Sequence, residues 1–258
     1  RNEVVGGKLA NYVRDGYAFD LGPSLVTVPH VFDEVFHTAT TTLAEQVELV
    51  RLDPQFRYHW ADGSTLTVPD GSDDTAAAFE EFAPGAGEQW RAFDARGRRI
   101  WDVAERTFFA GPMSNPWSLA KRLRSPFDLT AIDPLRTLHK SAGSFFDDPR
   151  LVQWADRYAT YSGSSPYAVP ATLACIPHIE ARYGCWYPMG GLDELRNAFV
   201  WVATEVGVDI RTRTDVVSIE AGERVTGVVL ADGTHERADI VVANTDAEHL
   251  YDVLLHDS

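Results

Sequence analysis

Two pairs of adjacent glycines, Gly6-Gly7 and Gly190-Gly191, constrain the fold of this 258-residue chain more than any other feature. Glycine has no Cβ, so a glycine pair beside a strand or a helix lets the backbone approach another backbone or a ligand phosphate. The first pair precedes an alternating run that ends at Asp20, and the second directly precedes a helical pattern. Both pairs therefore predict close backbone approach.

The last quarter of the chain has the most regular pattern. Apolar residues at helical spacing predict a helix over Asp193–Glu205. Tight turns then separate short strands and predict an antiparallel meander. The strands predicted here are Val208–Arg211, Asp215–Glu220, Val225–Leu230 and His235–Arg237. The continuously apolar segment Ile240–Ala243 is typical of a strand buried in an α/β sheet, and Asn244 would follow it at the sheet edge where ligands bind.

The middle of the chain is mainly helical by pattern. A short helix is predicted after Pro29. From Glu48 to Val68 the pattern predicts a hairpin that turns at Asp62-Gly63 and alternates, with Phe56, Tyr58 and Trp60 sharing one face. The period then becomes helical, with a break at Pro84-Gly85, and residues 133–174 again favour helices.

Composition excludes several functions. The net charge of -15 argues against a nucleic-acid partner, and no apolar run is long enough for a membrane span. Cys175 and Cys185 form neither a disulfide framework nor a metal-ligand cluster, so no metal is predicted and the cytoplasm is the expected compartment. The sequence HIE at 178–180 lacks the P-C-x-x-C partner of a zinc deaminase, and Ser162, Ser164 and Ser165 lack a nucleophile elbow.

Three segments, taken in order, resemble one protein family. They are RNEVVGGKLANYVRDGYAFDLGPS (residues 1–24), LVRLDPQFRYHWADGSTLTVPDG (49–71) and the block from YGCWYPMGGLDELR to YDVLL (183–255). Together they resemble carotenoid desaturases of the phytoene desaturase type, within the FAD-dependent amine-oxidase-like superfamily.

This resemblance implies an α/β fold with α+β insertions. Its parts are an FAD-binding Rossmann-like domain of the glutathione-reductase/amine-oxidase type, with a mixed sheet, and a helical substrate domain. In the implied division, the FAD-binding domain has two parts, residues 1–45 and residues 183–258, and the second part includes the meander. Between them lie a substrate-domain hairpin at 46–72 and a mainly helical region at 73–182 that faces the substrate and the membrane.

The resemblance also implies FAD as the cofactor. The implied cofactor-binding residues are Gly6, Gly7, Lys8, Gly22, Pro23, Ser24, Pro188, Gly190, Gly191, Val217 and Asn244. The family motif G-G-[RK] lies along the FAD phosphates and ribose, D-x-G-P-[ST] and P-x-G-G meet the isoalloxazine ring, and the backbone at Val217 contacts the adenine. The positive N-terminal end of the helix after Gly191 would favour reduced, anionic flavin. The simpler interpretations are a glycine turn packed on a helix and a buried strand valine.

Three family elements are missing from the sequence. The G-x-G-x-x-G turn and the acidic residue for the adenosine ribose would precede Arg1, and a glycine-rich flavin segment would follow Ser258. GAGEQW at 85–90 supplies only G-x-G among helices, and Glu3 lies three positions too late for the ribose. We therefore expect a chain truncated at both ends.

The activity implied by the resemblance is desaturation of a carotenoid precursor such as phytoene, with hydride transfer from an allylic C–H to flavin N5. A related carotenoid isomerase, saturase, or polyisoprenoid or amine oxidase is an alternative. A non-catalytic structural or partner-binding fragment is a hypothesis of another class. No catalytic residue is identified, and neither are the electron acceptor and the oligomeric state.

Residues 117–140 carry five basic and two acidic residues interleaved with apolar ones. Since the implied substrate is a hydrophobic polyisoprenoid, this segment is expected to dock on anionic lipid, which predicts a cytoplasmic, peripherally membrane-associated protein. An ordinary amphipathic surface is the alternative.

Overall fold

The computed structural model of the protein describes residues 2–109, 111, 117, 121–123, 125 and 127–255, except for the side chain of Leu129. The chain forms two compact units. One unit combines Arg1–Pro23 with Gly190–Ser258, and the other is the continuous segment Ser24–Met189. The domain boundaries given above for the functional regions stay predictions.

The secondary structure is mixed. The helices are α1 (Pro29–Thr38), α2 (Leu43–Gln46), α3 (Ser72–Phe82), α4 (Ala86–Thr107), α5 (Phe127–Ala131), α6 (Leu138–Ala142), α7 (Pro149–Asp156), α8 (Cys175–Tyr183), α9 (Asp193–Glu205) and α10 (Ala247–His249). Single 3-10 segments are Gly7–Leu9, Arg157–Ser162 and Ala171–Ala174, and Leu250–Leu254 is π-helical. The strands are β1 (Asn11–Arg14), β2 (Tyr17–Asp20), β3 (Leu49–Arg51), β4 (Phe56–His59), β5 (Thr65–Val68), β6 (Trp186–Pro188), β7 (Val216–Ala221), β8 (Val225–Leu230) and β9 (His235–Arg237).

The discontinuous unit contains a hairpin, a helix and a meander. Strands β1 and β2 pair antiparallel, with Asn11 opposite Asp20 at the open end and Arg14 opposite Tyr17 next to the turn. Within the turn, both Asp15 and Gly16 have positive φ. Helix α9 begins and ends at the predicted residues. The antiparallel order β7-β8-β9 confirms the predicted meander.

Two predicted strands in this unit are wrong. Neither Val208–Arg211 nor Ile240–Ala243 forms a strand, and Ile240 and Val242 are 81% and 88% exposed. A strand is held by hydrogen bonds to a neighbour, and within the described ranges no strand pairs with either segment. For the same reason the predicted mixed sheet does not appear there, since the strands described pair only antiparallel.

The continuous unit is built around an aromatic core. Phe79, Trp90 and Phe93 are fully buried between helices, and the rings of Phe79 and Trp154 meet edge to face with centroids 5.0 Å apart. Such pairs contribute beyond the area they bury. The β4–β5 hairpin covers this core through Leu66, and Phe56, Tyr58 and Trp60, which the alternation placed on one face, pack against the same core.

Strand β3 pairs with β6 and not with the hairpin that follows it, so the hairpin is shorter than Glu48–Val68. The predicted break at Pro84-Gly85 is confirmed between α3 and α4. Further along, α4 and α8 approach closely at Gly97, where a Cβ would lie 2.6 Å from the Ala174 carbonyl oxygen and 2.9 Å from the His178 Cβ. Among the helices described, none has the length and apolar character to cross a membrane.

Candidate cofactor site

The first glycine pair forms a tight turn before β1. Gly6 and Gly7 both have positive φ, at 102° and 51°, and the Leu9 N–H donates to the Gly6 carbonyl at 2.9 Å. A Cβ on Gly6 would overlap the aliphatic part of Arg196 on α9. A Cβ on Gly7 would meet no described atom within 4 Å. Gly6 therefore packs on a helix, as the simpler interpretation has it, and Gly7 leaves open space, while the cofactor contact of the pair stays a prediction.

Lys8 and Gly22 are brought together by the same turn. A Cβ on Gly22 would overlap the backbone carbonyl of Lys8, so only glycine fits there. The Lys8 side chain is exposed, and no carboxylate of the described chain forms an ion pair with it. An unpaired ammonium beside an open glycine turn suits a phosphate ligand. Pro23 follows directly after Gly22.

The second glycine pair lies at the start of α9, between two carboxylates. Gly191 has a φ of 127°, and its Cβ would lie 2.7 Å from Asp193 Oδ1 and 3.6 Å from Asp20 Oδ1. Asp20 Oδ1 accepts a hydrogen bond from the Leu192 N–H at 3.0 Å. Gly190 also has a positive φ, of 103°. Both the backbone conformation and the space at Gly191 exclude a side chain.

Asp193 is the residue of this site that the sequence patterns did not reveal. It is only 9% exposed, and its Oδ2 accepts hydrogen bonds from Asn11 Nδ2 at 2.8 Å and Arg196 Nη2 at 3.3 Å. Its Oδ1 is buried and has no hydrogen-bond partner among the described residues. A buried carboxylate oxygen without a donor is costly, so a ligand donor is a natural partner for it. The available signal was the three-residue spacing of Asp193 and Arg196 on one helix.

Arg196 joins the elements of the site. Besides its contact with Asp193, its Nη1 donates to the Leu9 carbonyl at 3.3 Å, so the glycine turn is held against α9. The electrostatic potential at the N-terminus of α9 is less positive than the helix dipole alone would make it. Asp193 and Glu194 occupy the first turn of the helix, and Asp20 accepts a hydrogen bond from the N–H at its start. The expectation that this terminus favours anionic flavin is therefore not supported by the charges around it.

Val217 lies in a β-bulge. The pairing register passes from Val216–Leu230 to Ser218–Val229, so Val217 has no opposite residue. Bulged residues are left out of the ladder, which leaves their backbone groups available to a ligand. Val217 is half-exposed and lines a cavity of about 430 Å³ with Val253 and Leu254. It is not the buried strand valine of the simpler interpretation.

The remaining predicted residues are Asn244, Ser24 and Pro188. Asn244 lies exposed in a loop and does not follow a strand, since Ile240–Ala243 is not one. Ser24 and Pro188 belong to the continuous unit, where Pro188 pairs with Leu49 across β3 and β6. Their flavin contacts stay predictions.

These features fit the cofactor that the sequence implies. The open space at Gly7 and the unpaired Lys8 suit the FAD phosphates. The Oδ1 of Asp193, which accepts no hydrogen bond from the described residues, suits a hydroxyl or N–H donor of the same ligand. No group of acidic, histidine or cysteine side chains in the described residues could hold a metal ion.

Comparisons with known proteins agree with this assignment. Residues 1–257 match the profile of the flavin containing amine oxidoreductase family. This match confirms FAD as the predicted cofactor. A solved structure of wild-type putrescine oxidase bound to putrescine superposes with a TM-score of 0.57 over 92% of this chain and 49% of that one, at 14% identity. At that identity the likeness shows the fold alone.

Two curated relatives carry carotenoid names. The 4,4'-diapolycopene oxygenase of Methylomonas sp is 33% identical over 95% of this chain and 50% of its own length. The 1-hydroxycarotenoid 3,4-desaturase of Flavobacterium sp. (strain P99-3) is 31% identical over 100% of this chain and 53% of its own length. The chain therefore spans about half the length of the curated relatives it matches.

Proposed function

This chain belongs to the flavin containing amine oxidoreductase family, and on that premise we propose that the protein is an FAD-dependent oxidoreductase that desaturates an acyclic, carotenoid-type polyisoprenoid. The observation that carries the proposal is the match to carotenoid-modifying relatives along nearly the whole chain. Phytoene is one substrate of this class.

An apolar cavity in the continuous unit supports a hydrophobic substrate. It measures about 620 Å³ and lies between α1, α2 and the β3–β6 pair. Its apolar lining residues are Pro29, Leu43, Ala44, Val47, Leu49 and Trp186, and its polar ones are His30, Asp33, Thr42 and Glu48. Mostly apolar cavities with few polar groups are typical of small-molecule sites. A hydrocarbon chain is compatible with this lining.

The residues of the cofactor site have separable roles in the proposal. Bound FAD supplies a two-electron acceptor for the oxidation. The turn at Gly7 and the ammonium of Lys8 would hold its phosphates, and Asp193 Oδ1 would accept a hydrogen bond from it. Asp20 has a positioning role, because it ties the end of β2 to the start of α9, and Arg196 likewise holds the glycine turn against α9.

A second candidate, oxygenation of a carotenoid, is favoured by the name of the Methylomonas relative. Product mass separates the two. Desaturation removes two hydrogens per step, whereas oxygenation adds an oxygen atom that becomes labelled under ¹⁸O₂. The experiment expresses the protein in cells that make acyclic carotenoids, beside cells that carry an empty vector. Products lighter by two hydrogens support desaturation, and labelled heavier products support oxygenation.

Two further outcomes would refute both candidates. A purified protein that binds flavin but oxidises only amines or a non-carotenoid polyisoprenoid would be another oxidase of the family. A protein that binds no flavin and changes no carotenoid would be a structural or partner-binding one. Flavin absorbance and product analysis of the same preparation distinguish these cases.

Peripheral attachment to a membrane from the cytoplasm is part of the proposal. Trp117, Phe127 and Leu135 are exposed apolar side chains in the basic segment, and Lys121 of the same segment is also exposed. Arg122 is less free for lipid, because it donates to the carbonyls of Thr107 and Gly111. Arg136 is likewise bonded to Asp133. Arg124, Leu119 and several neighbours lie outside the described residues.

A further inference from the structure

A second cavity, of about 440 Å³, lies in the continuous unit where the start of α3 meets the facing sides of α4 and α8. None of its lining residues belongs to the cofactor site. They are Ser72, Asp94, Arg98, His178, Ala181 and Arg182. The cavity therefore needs an explanation of its own.

Its base is a buried polar network. Asp94 Oδ1 lies 2.8 Å from His178 Nδ1, and Asp94 Oδ2 accepts from the Ser72 hydroxyl at 2.9 Å. The indole N–H of Trp90 donates to the Ser72 carbonyl at 2.9 Å. Both carboxylate oxygens of Asp94 are thereby occupied. The imidazole Nε2 of His178 is buried and has no hydrogen-bond partner in the part of the chain that the structure describes.

Its rim carries two arginines. Arg98 lies four residues after Asp94 on α4, and Arg182 lies four residues after His178 on α8. Each arginine is therefore one helical turn further along the face that carries the buried residue. The close approach of α4 and α8 at Gly97 brings these two faces together. Both arginines are exposed, and neither forms an ion pair with a described carboxylate. Arg182 only places its guanidinium 4.9 Å from the Tyr183 ring centroid.

Unpaired guanidinium groups are notable in a chain of net charge -15. Guanidinium presents N–H donors in a planar fork that matches phosphate oxygens, and two such groups match the two charges of a phosphate monoester. Asp94 makes its hydrogen bonds inside the base of the cavity, and its single negative charge stands against two guanidinium charges at the rim. The local balance at the rim is therefore positive.

We propose that this cavity binds a phosphate group, held by Arg98 and Arg182 at the rim with His178 at the base. The phosphate belongs either to a soluble ligand or to a lipid headgroup, since the recognition chemistry is the same for both. The inference does not depend on the proposed carotenoid chemistry, because no residue of the cofactor site takes part.

The test uses the FAD-saturated protein, so that added phosphate does not compete at the cofactor site. Inorganic phosphate is titrated while NMR follows the Cε1–H resonance of His178, which is assigned by its loss in His178→Gln. We expect a saturable shift and a dissociation constant raised about tenfold or more by Arg98→Gln combined with Arg182→Gln, since each change removes a charged hydrogen bond. The matched control is Arg99→Gln, which removes an exposed arginine of the same helix that does not line the cavity.

The lipid arm measures sedimentation with vesicles that contain phosphatidic acid, whose headgroup is a phosphate monoester, against phosphatidylcholine vesicles. Saturable binding of free phosphate that needs Arg98 and Arg182 indicates a soluble ligand. Sedimentation that needs the same two arginines, without saturable binding of free phosphate, indicates a lipid headgroup. The proposal is overturned if the wild-type protein shows neither response, or if Arg99→Gln has the same effect as the double variant. The wild-type titration decides the matter even where a variant folds poorly.

Discussion

Asp20 Oδ1 accepts a hydrogen bond from the backbone N–H of Leu192 at 3.0 Å, and so ties the end of β2 to the start of α9. The two residues are distant in sequence but belong to one compact unit. Asp20 acts here as an N-terminal cap supplied by another element, since Leu192 makes no side-chain cap of its own.

Asp20→Ala is expected to lower the free energy of unfolding by about 1 kcal/mol, the usual cost of losing a helix cap. Asp20→Asn keeps an acceptor oxygen and is expected to lose less. Urea unfolding without added cofactor measures both. Asp15→Asn is the matched control, because Asp15 is exposed in a turn that asparagine also tolerates. Equal stability of Asp20→Ala and the wild type would contradict the capping role.

Asp193→Asn tests the unfilled carboxylate oxygen. Asn11 and Arg196 hold one oxygen, so the amide NH₂ of the variant would take the place of the free oxygen beside Gly191. An acceptor then becomes a donor, and FAD affinity is expected to fall by about tenfold or more. Fluorescence titration of the cofactor-free protein with FAD measures this, and thermal unfolding of the same samples checks the fold. An unchanged dissociation constant would remove Asp193 from the site.

The glycine turn gives a matched pair of variants. Gly7 and Gly16 both have positive φ and open space around a Cβ, so valine strains both backbones alike. Gly7→Val is expected to abolish FAD retention, whereas Gly16→Val leaves it intact with a similar loss of stability. Flavin stoichiometry by absorbance decides. A yellow Gly7→Val protein with full stoichiometry would be evidence against the phosphate turn.

Glu180 gives a prediction about pH. Burial raises the pKa of its carboxyl above the ordinary value of 4.5, while Arg157 and the hydroxyls of Tyr158 and Tyr161 act in the opposite direction. The folded state then holds the proton more tightly than the unfolded state. The contribution of Glu180 is therefore favourable below pH 4.5 and is lost as pH rises through the folded pKa.

Glu180→Gln cannot ionise, so we expect the stability deficit of this variant relative to the wild type to shrink as pH rises from 4.5 towards 7. Urea unfolding of both proteins across that range measures the difference and cancels the other titrating groups. A deficit that grows with pH would show that the ionised carboxylate is stabilised by its partners, among them the Tyr158 hydroxyl at 2.6 Å.

The membrane proposal predicts that Trp117→Ser combined with Lys121→Glu weakens sedimentation with anionic vesicles and makes the remainder less sensitive to salt. These two side chains are chosen because both are exposed. Arg224→Glu is the control for total charge, since it alters an exposed arginine of the meander turn. An equal loss of sedimentation in the double variant and in Arg224→Glu would show that the effect comes from net charge alone.

The parts of the fold that the sequence predicts are those stabilised by local contacts. Helix α9 follows from apolar spacing within its own residues, and the β4–β5 hairpin follows from alternation about the Asp62-Gly63 turn. The segment Ile240–Ala243 has an equally good strand composition but pairs with no described strand. Strand composition alone does not supply the neighbour that a strand requires.

The cofactor site shows the same division. The glycines could be identified because their lack of a side chain is visible in the sequence. The Asn11–Asp193 and Asp20–Leu192 contacts could not, because each joins residues far apart in the chain through ordinary polar groups. The cavity at Arg98 and Arg182 depends in the same way on how α4 meets α8.

The discontinuous unit has a consequence for synthesis on the ribosome. Its hairpin, within Arg1–Pro23, is synthesised before the continuous unit but must wait for Gly190–Ser258 before it has a partner, and Ser24–Met189 is completed in between. Closing a contact over so long a separation is slow, and domains tend to fold as units while the chain emerges. We therefore expect the continuous unit to fold first and the glycine turn to be completed last, so that flavin is captured only after translation has passed α9.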